Sequence, residues 1–292
     1  MILNIKKQPR SRLSIAFHRS LLMAFVLAPM VAQAADSSCY SAGSGKTLSV
    51  SSSSALGSVL RVAQCGDSVV LAAGTYSGFS IDKDCTSTRP LLIKAKVRHQ
   101  SVIQGVVSLN GASIYLSDLK FQGGRVEVNG VGHKILRNVF TGWMHPAAMM
   151  LRKGSGTEVA YNELSRPGAW GSKDDPATPL RIGIRSGYNE SMHKGAHIHH
   201  NYFHDFPQKP NPAVYSSGQA DAMEICATGY REPAEFLVEK NLVERHLQGH
   251  GIMDFKCGGN VIRYNTILNS PGGRLDLRNG NESEVKIGRA HV

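Results

Sequence analysis

From Gly66 onward the chain is written in short apolar runs broken by glycine, asparagine or charge. They are Ser68-Val-Val-Leu-Ala-Ala, Phe79-Ser-Ile, Pro90-Leu-Leu-Ile-Lys-Ala, Val102-Ile-Gln-Gly, Val106-Val-Ser-Leu and Ser113-Ile-Tyr-Leu. Runs this short predict β-strands, with Gly74-Thr-Tyr expected as a turn between two of them. One stretch ahead of them differs. Residues 51–63 open on serines and carry Leu56, Val59, Leu60 and Val62 at helical spacing, which predicts a short amphipathic helix. No long helical pattern follows.

A repeat emerges further on. Ile135-Leu-Arg-Asn-Val-Phe, Val159-Ala-Tyr-Asn-Glu-Leu, Ile198-His-His-Asn-Tyr-Phe, Val238-Glu-Lys-Asn-Leu-Val and Ile262-Arg-Tyr-Asn-Thr-Ile share one template. It reads aliphatic, two residues, Asn, one residue, apolar. The asparagines stand at 138, 162, 201, 241 and 265, so the gaps are 24, 39, 40 and 24 residues. The two long gaps hold inserts rich in proline, glycine and charge, at 165–179 and 207–219. A unit of this size with insertions confined to some turns is the signature of a solenoid. A rung of three short strands cannot bury its own inward face, whereas stacked rungs share one aliphatic core. The recurrent Asn suits a bend, where its side chain can bond its equivalents above and below and its backbone tolerates a left-handed conformation. The pattern predicts an all-β fold, a right-handed parallel β-helix of the pectate-lyase-like kind, with the short N-terminal helix as its cap. A β-sandwich gives no reason for Asn at a fixed phase.

The ends are expected to stand apart from that domain. Residues 1–34 combine five cations (Lys6, Lys7, Arg10, Arg12, Arg19), a short apolar core and Ala32-Gln-Ala, and read as a signal peptide. Export to the periplasm or medium follows, and no later stretch is apolar enough for membrane insertion. Residues 286–292 resemble a translated adapter read-through, which would leave 35–285 as a β-helix incomplete at its C-terminal end. Without the five leader cations the net charge of +11 becomes +6, and without Lys286 and Arg289 it becomes +4. That mild excess is compatible with an anionic polymer. The five cysteines lack zinc-site spacing. One disulfide is expected among Cys39, Cys65 and Cys85, Cys226 and Cys257 are one longer repeat apart, and an odd one remains.

The chemistry concentrates near the end of the repeats. Leu275-Asp-Leu-Arg alternates, which would send both leucines to one face and Asp276 and Arg278 to the other. If rungs stack in register, Lys256 and Arg278 sit one repeat apart and project side by side. The bland alternative is a pair of solvated cations. The residues around the pair weigh against it. Glu239-Lys-Asn-Leu, Lys256, Arg263-Tyr-Asn-Thr, Asn269-Ser and Leu275-Asp-Leu-Arg-Asn-Gly-Asn resemble polysaccharide lyase family 6, the family of chondroitinase B and alginate lyases. Gly66-Asp-Ser-Val-Val-Leu-Ala-Ala-Gly-Thr-Tyr is similar to its opening as well. The resemblance implies β-elimination on an acidic polysaccharide, with Lys256 as base and Arg278 as acid. Chemically, removing the proton α to a carboxylate makes a dianion-like intermediate, so positive charge must already stand there. A lysine serves as base where cations or desolvation lower its pKa.

The resemblance also implies calcium, held by acidic side chains just before the lysine, and here the sequence departs from it. Leu247-Gln-Gly-His-Gly-Ile-Met-Asp offers glycines at those positions and only Asp254 as a carboxylate. Asp221 and Glu224, about a rung earlier, are the remaining candidate metal ligands with Asp254; ion pairing with the basic cleft is the plainer role for them. Arg245, His246 and His250 could neutralise the substrate carboxylate without metal, and Arg274 is a further candidate for substrate binding. The extra residue between Lys256 and Arg278 is expected as a bulge at Gly272-Gly. His197 and His199 would share a strand face, but no nearby carboxylate or cysteine is expected to complete a zinc set. Trp143 and Trp170 flank inserts, where packing under a loop competes with stacking on sugars. Gly154-x-Gly lacks the strand–turn–helix context of a nucleotide site. No nucleotide or redox cofactor and no nucleic-acid partner is expected, and a monomer is. Besides a lyase, a non-catalytic glycan-binding or envelope β-helix and a uronate C5-epimerase fit the same residues.

Overall fold

The computed structural model describes residues 45–143, 147–168, 182–186, 192–207, 221–226, 232–247, 251–271, 273–278 and 282–286. The leader, Cys39, Trp170, His250 and most of both inserts lie outside these residues. The predicted helix spans Ser53–Val62, capped by the Ser52 side chain accepting from the Ala55 amide. Leu56 and Leu60 are buried beneath it, while Val62 is 66% exposed and does not join the stripe.

After the helix the chain winds as a right-handed parallel β-helix, in which successive strands lie on three faces in turn. The first face is a sheet of ten parallel strands from Thr47–Val50 to Glu284–Lys286. The second face includes Lys120–Gln122, Val139–Thr141, Glu163–Ser165, Tyr202–Phe206, Leu242–His246 and Thr266–Leu268. The third includes Arg125–Val131, Ala147–Ser155, Ile182–Ser186, Met223–Ile225, Gly251–Phe255 and Arg274–Leu277. Two early strands bridge the second and third faces. Gly74–Asp84 and Ser101–Ala112 are each continuous, so Gly74-Thr-Tyr starts a strand and is not a turn. Val102 pairs with Lys120 on one face and Val107 with Val126 on the other.

Register makes the core. On the first face Val69, Ile93, Leu116, Ile135, Val159, Ile198, Val238 and Ile262 stack in line, and all are buried. Phe121 and Phe140 stack at 4.5 Å on the second face. Each aliphatic side chain removed from water contributes about 1.5–3 kcal/mol, and no rung could gather that alone.

The asparagines form the expected column between the first and second faces. The backbone N–H groups of Asn138, Asn162, Asn201 and Asn241 each donate to the next Asn Oδ1 at 2.9–3.0 Å. Each Nδ2 donates to that oxygen too, at 3.2, 2.9, 3.0 and 2.9 Å. The left-handed residue is not the Asn but the one before it. Arg137, Tyr161, His200, Lys240 and Tyr264 have φ of 54, 59, 53, 54 and 56°. The side-chain bonds, not backbone tolerance, select Asn here. Gly154 has a structural role at another corner: its φ is 113°, and a Cβ there would lie 1.8 Å from the Gly130 carbonyl. Disulfides join Cys65 to Cys85 and Cys226 to Cys257.

Candidate active site

Outward-pointing positions of the third face line up across strands. Register sets Arg185 beside Glu224, Glu224 beside Asp254 and Asp254 beside Asp276. Lys256 and Arg278 follow the last residues of adjacent strands, and the ladder continues through both. The Lys256 amide donates to the Ile225 carbonyl at 2.9 Å, and the Arg278 amide to the Phe255 carbonyl at 2.7 Å. One carboxylate ties the two cations together: Asp254 lies 3.5 Å from Lys256 Nζ and 3.5 Å from Arg278 Nε. Lys256 Nζ also donates to Glu224 Oε1 at 2.7 Å, and Arg185 Nη2 approaches the same oxygen at 3.4 Å. Asp276 accepts from Arg278 at 3.2 Å and pairs with Arg274 at 2.7 Å.

The bulge expected at Gly272-Gly falls on a residue outside those described, and a separate bulge lies ahead of Lys256. Gly251 pairs with Arg274 and Met253 with Leu275, so Ile252 is the bulge. Ile252 is fully buried, and a Cβ on Gly273 would stand 2.1 Å from its Cδ1. Gly273 makes room for that bulged side chain.

Lys256 is 9% exposed, whereas the Arg278 side chain is 40% exposed. The site therefore has a buried amine and a guanidinium open to solvent. Asp221 is coupled to this cluster. Burial first, then the charges of Glu224 and Asp254, push its pKa well above the usual carboxylate range. Burial also raises Asp254, although Lys256 and Arg278 pull the other way. Neither carboxyl has a hydrogen-bond partner among the described residues. Arg278 is raised: burial opposes its charge, and Asp276 and Asp254 more than offset that.

Calcium wants six to eight oxygens converging at about 2.3–2.6 Å. Among the described residues no three of His, Cys, Asp and Glu converge in that way. Glu224 spends its Oε1 on Lys256 and Arg185, and Asp254 faces two cations. The described donors do not fit the ion.

The other predicted residues scatter. Arg274 shares the face of Arg278 through Asp276. Arg245 is on the second face, bound to Asp205 at 2.6 Å and Glu244 at 2.7 Å. His246 has no exposed surface and stacks on Phe206 at 5.1 Å. His250 lies outside the described residues. Trp143 is fully buried, edge-on to Phe206. His197 and His199 do share a strand face, with ring centroids 4.0 Å apart, and pair with Glu239 and Glu158. Sequence reasoning missed Arg185, and it placed Asp276 on the face of Arg278 without giving it a role. Alternation was enough to place Asp276, but Arg185 lies in a strand without the Asn template.

Comparison with known proteins agrees with this architecture. The PL6 family alginate lyase AlyGC matches with a TM-score of 0.67 and 22% identity over 82% of this chain and 34% of its own. A mannuronic acid specific family 6 lyase from human gut microbiota matches with 0.65 and 18%, over 82% and 57%. Alginate lyase AlyF-OU02, in complex with G6, matches with 0.64 and 18%, over 84% and 54%. The chain thus spans about a third to three fifths of the length of these structures. No curated protein matches it in sequence. The Chondroitinase B family model covers residues 50–288, nearly all of the described β-helix, and the chain therefore belongs to the chondroitinase B family.

Proposed function

We propose that the protein is an exported polysaccharide lyase that cleaves a uronate-containing polymer by β-elimination. The observation that carries this is the meeting of Lys256 and Arg278 across one carboxylate, on adjacent coils of one outward face. Lys256 takes the proton α to the uronate carboxylate. The electron pair left behind forms the C4–C5 double bond, the C4–O bond breaks, and the leaving oxygen takes a proton. Arg278 is the donor assigned to that oxygen. Because Asp276 and Asp254 hold its charge, it acts through hydrogen bonds to the developing charge before any proton moves. Arg274 and Arg185 add positive charge along the same row. No step here uses calcium, since the described donors do not fit it. The signal-like residues 1–34 support a periplasmic or secreted enzyme, and among the described residues no helix is long and apolar enough to cross a membrane. Alginate is the first polymer to try, because two of the structural relatives are alginate lyases and another is mannuronic acid specific.

The test is to incubate the protein with alginate, chondroitin sulfate, dermatan sulfate and pectate and follow unsaturated-uronate absorbance. One polymer should give a rise that Lys256→Ala slows by at least about 10²-fold. No rise on any of them ends the lyase reading. A second reading, a glycan-binding β-helix without turnover, draws on the 2.7 Å contact that occupies Lys256 Nζ with Glu224; it predicts polymer binding without product. Solvent deuterium entering the uronate without chain cleavage would indicate a C5-epimerase.

A further inference from the structure

A second cationic surface lies on the first face, near the opposite end of the described coils. An open groove of about 410 Å³ is lined by Val70, Lys94, Ala95, Lys96, Arg98 and Asp118. Lys94 projects outward because its neighbour Ile93 belongs to the inward aliphatic stack, and register places it between Val70 and Ser117. Lys96 and Arg98 come from the turn that follows this strand. The turn is fixed at several points: the Gln100 amide donates to the Val97 carbonyl at 3.1 Å and the His99 amide to the Asp118 carbonyl at 2.7 Å. The His99 ring reaches the Arg137 carbonyl, two coils on, at 2.8 Å. The cations are therefore presented on a held loop.

Their charge is not cancelled. Asp118, the one acidic residue in the lining, already accepts both Nε and Nη2 of Arg137, at 2.9 and 3.0 Å, and Nε of Arg98 at 3.2 Å. Among the described residues neither Lys94 nor Lys96 has an ion-pair partner. Two ammonium groups thus stand beside a carboxylate already shared by two guanidiniums.

We propose that this groove is a remote binding site for a carboxylate-bearing polysaccharide, holding a distant stretch of the polymer on which Lys256 acts; in that respect it rests on the function proposed above. The polymer must be long. The strand of Lys94 is third on the first face and the strand following Lys256 is ninth, and six spacings of about 4.8 Å put the two sites roughly 30 Å apart along the coil axis. The lining holds no aromatic side chain on which a base could stack, which favours a polyuronate over a single-stranded nucleic acid.

Native gels cast with sodium alginate test this, using Lys256→Ala protein so that the polymer survives. Retardation should fall by about fivefold when Lys94→Ser and Lys96→Ser are added, and by a similar factor at high salt. Unchanged retardation overturns the proposal, as does no retardation at all, equal retardation by neutral dextran, or stronger retardation by polyadenylate. In the unsubstituted background the same pair should raise KM for long alginate severalfold, leaving kcat and turnover of a trisaccharide unchanged; equal losses on trisaccharide and polymer would mean a folding defect and overturn it too. Elimination without lysine-dependent retardation sinks this site alone, and lysine-dependent retardation without elimination sinks only the catalytic reading.

Discussion

Two sets of buried polar side chains in this solenoid are treated in opposite ways. At the corner between first and second faces, the asparagine column satisfies itself, each carboxamide accepting from the backbone of the preceding Asn and donating to its neighbours. Beside the third face, Asp221 and Asp254 are equally enclosed, 1% exposed each, yet their carboxyl oxygens find no hydrogen bond among the described residues. Asp254 has two cations 3.5 Å away in partial compensation, and among the described residues Asp221 has no such ion pair. A buried polar group costs free energy unless paired. The first set is therefore architecture, and the second is retained against stability, which is the behaviour of a site that acts on something else.

The sharpest way to break the contrast is at the column. Asn201→Ala removes donors to Val159, His199 and Asn241 and an acceptor for Asn162, and should cost about 3–5 kcal/mol in urea unfolding. A loss below about 1 kcal/mol would show that the column merely accompanies the fold. Next come His133 and His193, which have no exposed surface; burial, the leading cause in both, takes their pKa from 6.5 to about 4. With folded values below unfolded ones, the unfolded chain binds protons first as pH falls. Their contribution is whole above pH 6.5 and drains away toward pH 4, on the order of 3 kcal/mol each. Unfolding midpoints compared at neutral pH and near pH 4 measure it, and a flat profile sinks it.

A smaller effect is expected at Asp221. Its raised pKa means that the ionised form opposes folding as pH climbs above the unfolded carboxylate value. Asp221→Asn should therefore gain about 1–2 kcal/mol at pH 8 relative to wild type, and less at pH 5. A loss at pH 8 would reveal a partner for the carboxylate. Smallest of all is the response to a chelator. Excess EDTA should change elimination by less than about twofold, because the described carboxylates face cations and do not surround an ion. A large fall would place calcium ligands in residues 248–250 or another segment outside those described.

How much of this was legible follows from the same contrast. The first-face strands and the Asn corners carry one residue type at one phase, so a single sequence reveals them. The in-register pairing of coils then brings Lys256 to Arg278. The third face carries no such marker. Its outward row reads Glu127, Met150, Arg185, Glu224, Asp254, Asp276, with no shared chemistry from coil to coil. Arg185 was invisible for that reason, and so was the bulge at Ile252, which no glycine or proline in Ile252-Met-Asp marks. The long strands at 74–84 and 101–112 were cut short or split because Gly74 and Gly105 look like turn residues, although each belongs to a strand that crosses between faces.

The one-residue left-handed bend before each asparagine has a consequence for how such a molecule can change. That corner has the same length in every coil that bears it, and its hydrogen bonds leave no room for additions. The extra chain at 166–181 and 207–220 falls instead between second-face and third-face strands, ahead of Ile182–Ser186 and Met223–Ile225. One seam of the solenoid is locked while another tolerates new sequence. A lineage can therefore rewrite the surroundings of Lys256 by lengthening or trading those segments, without shifting a single rung.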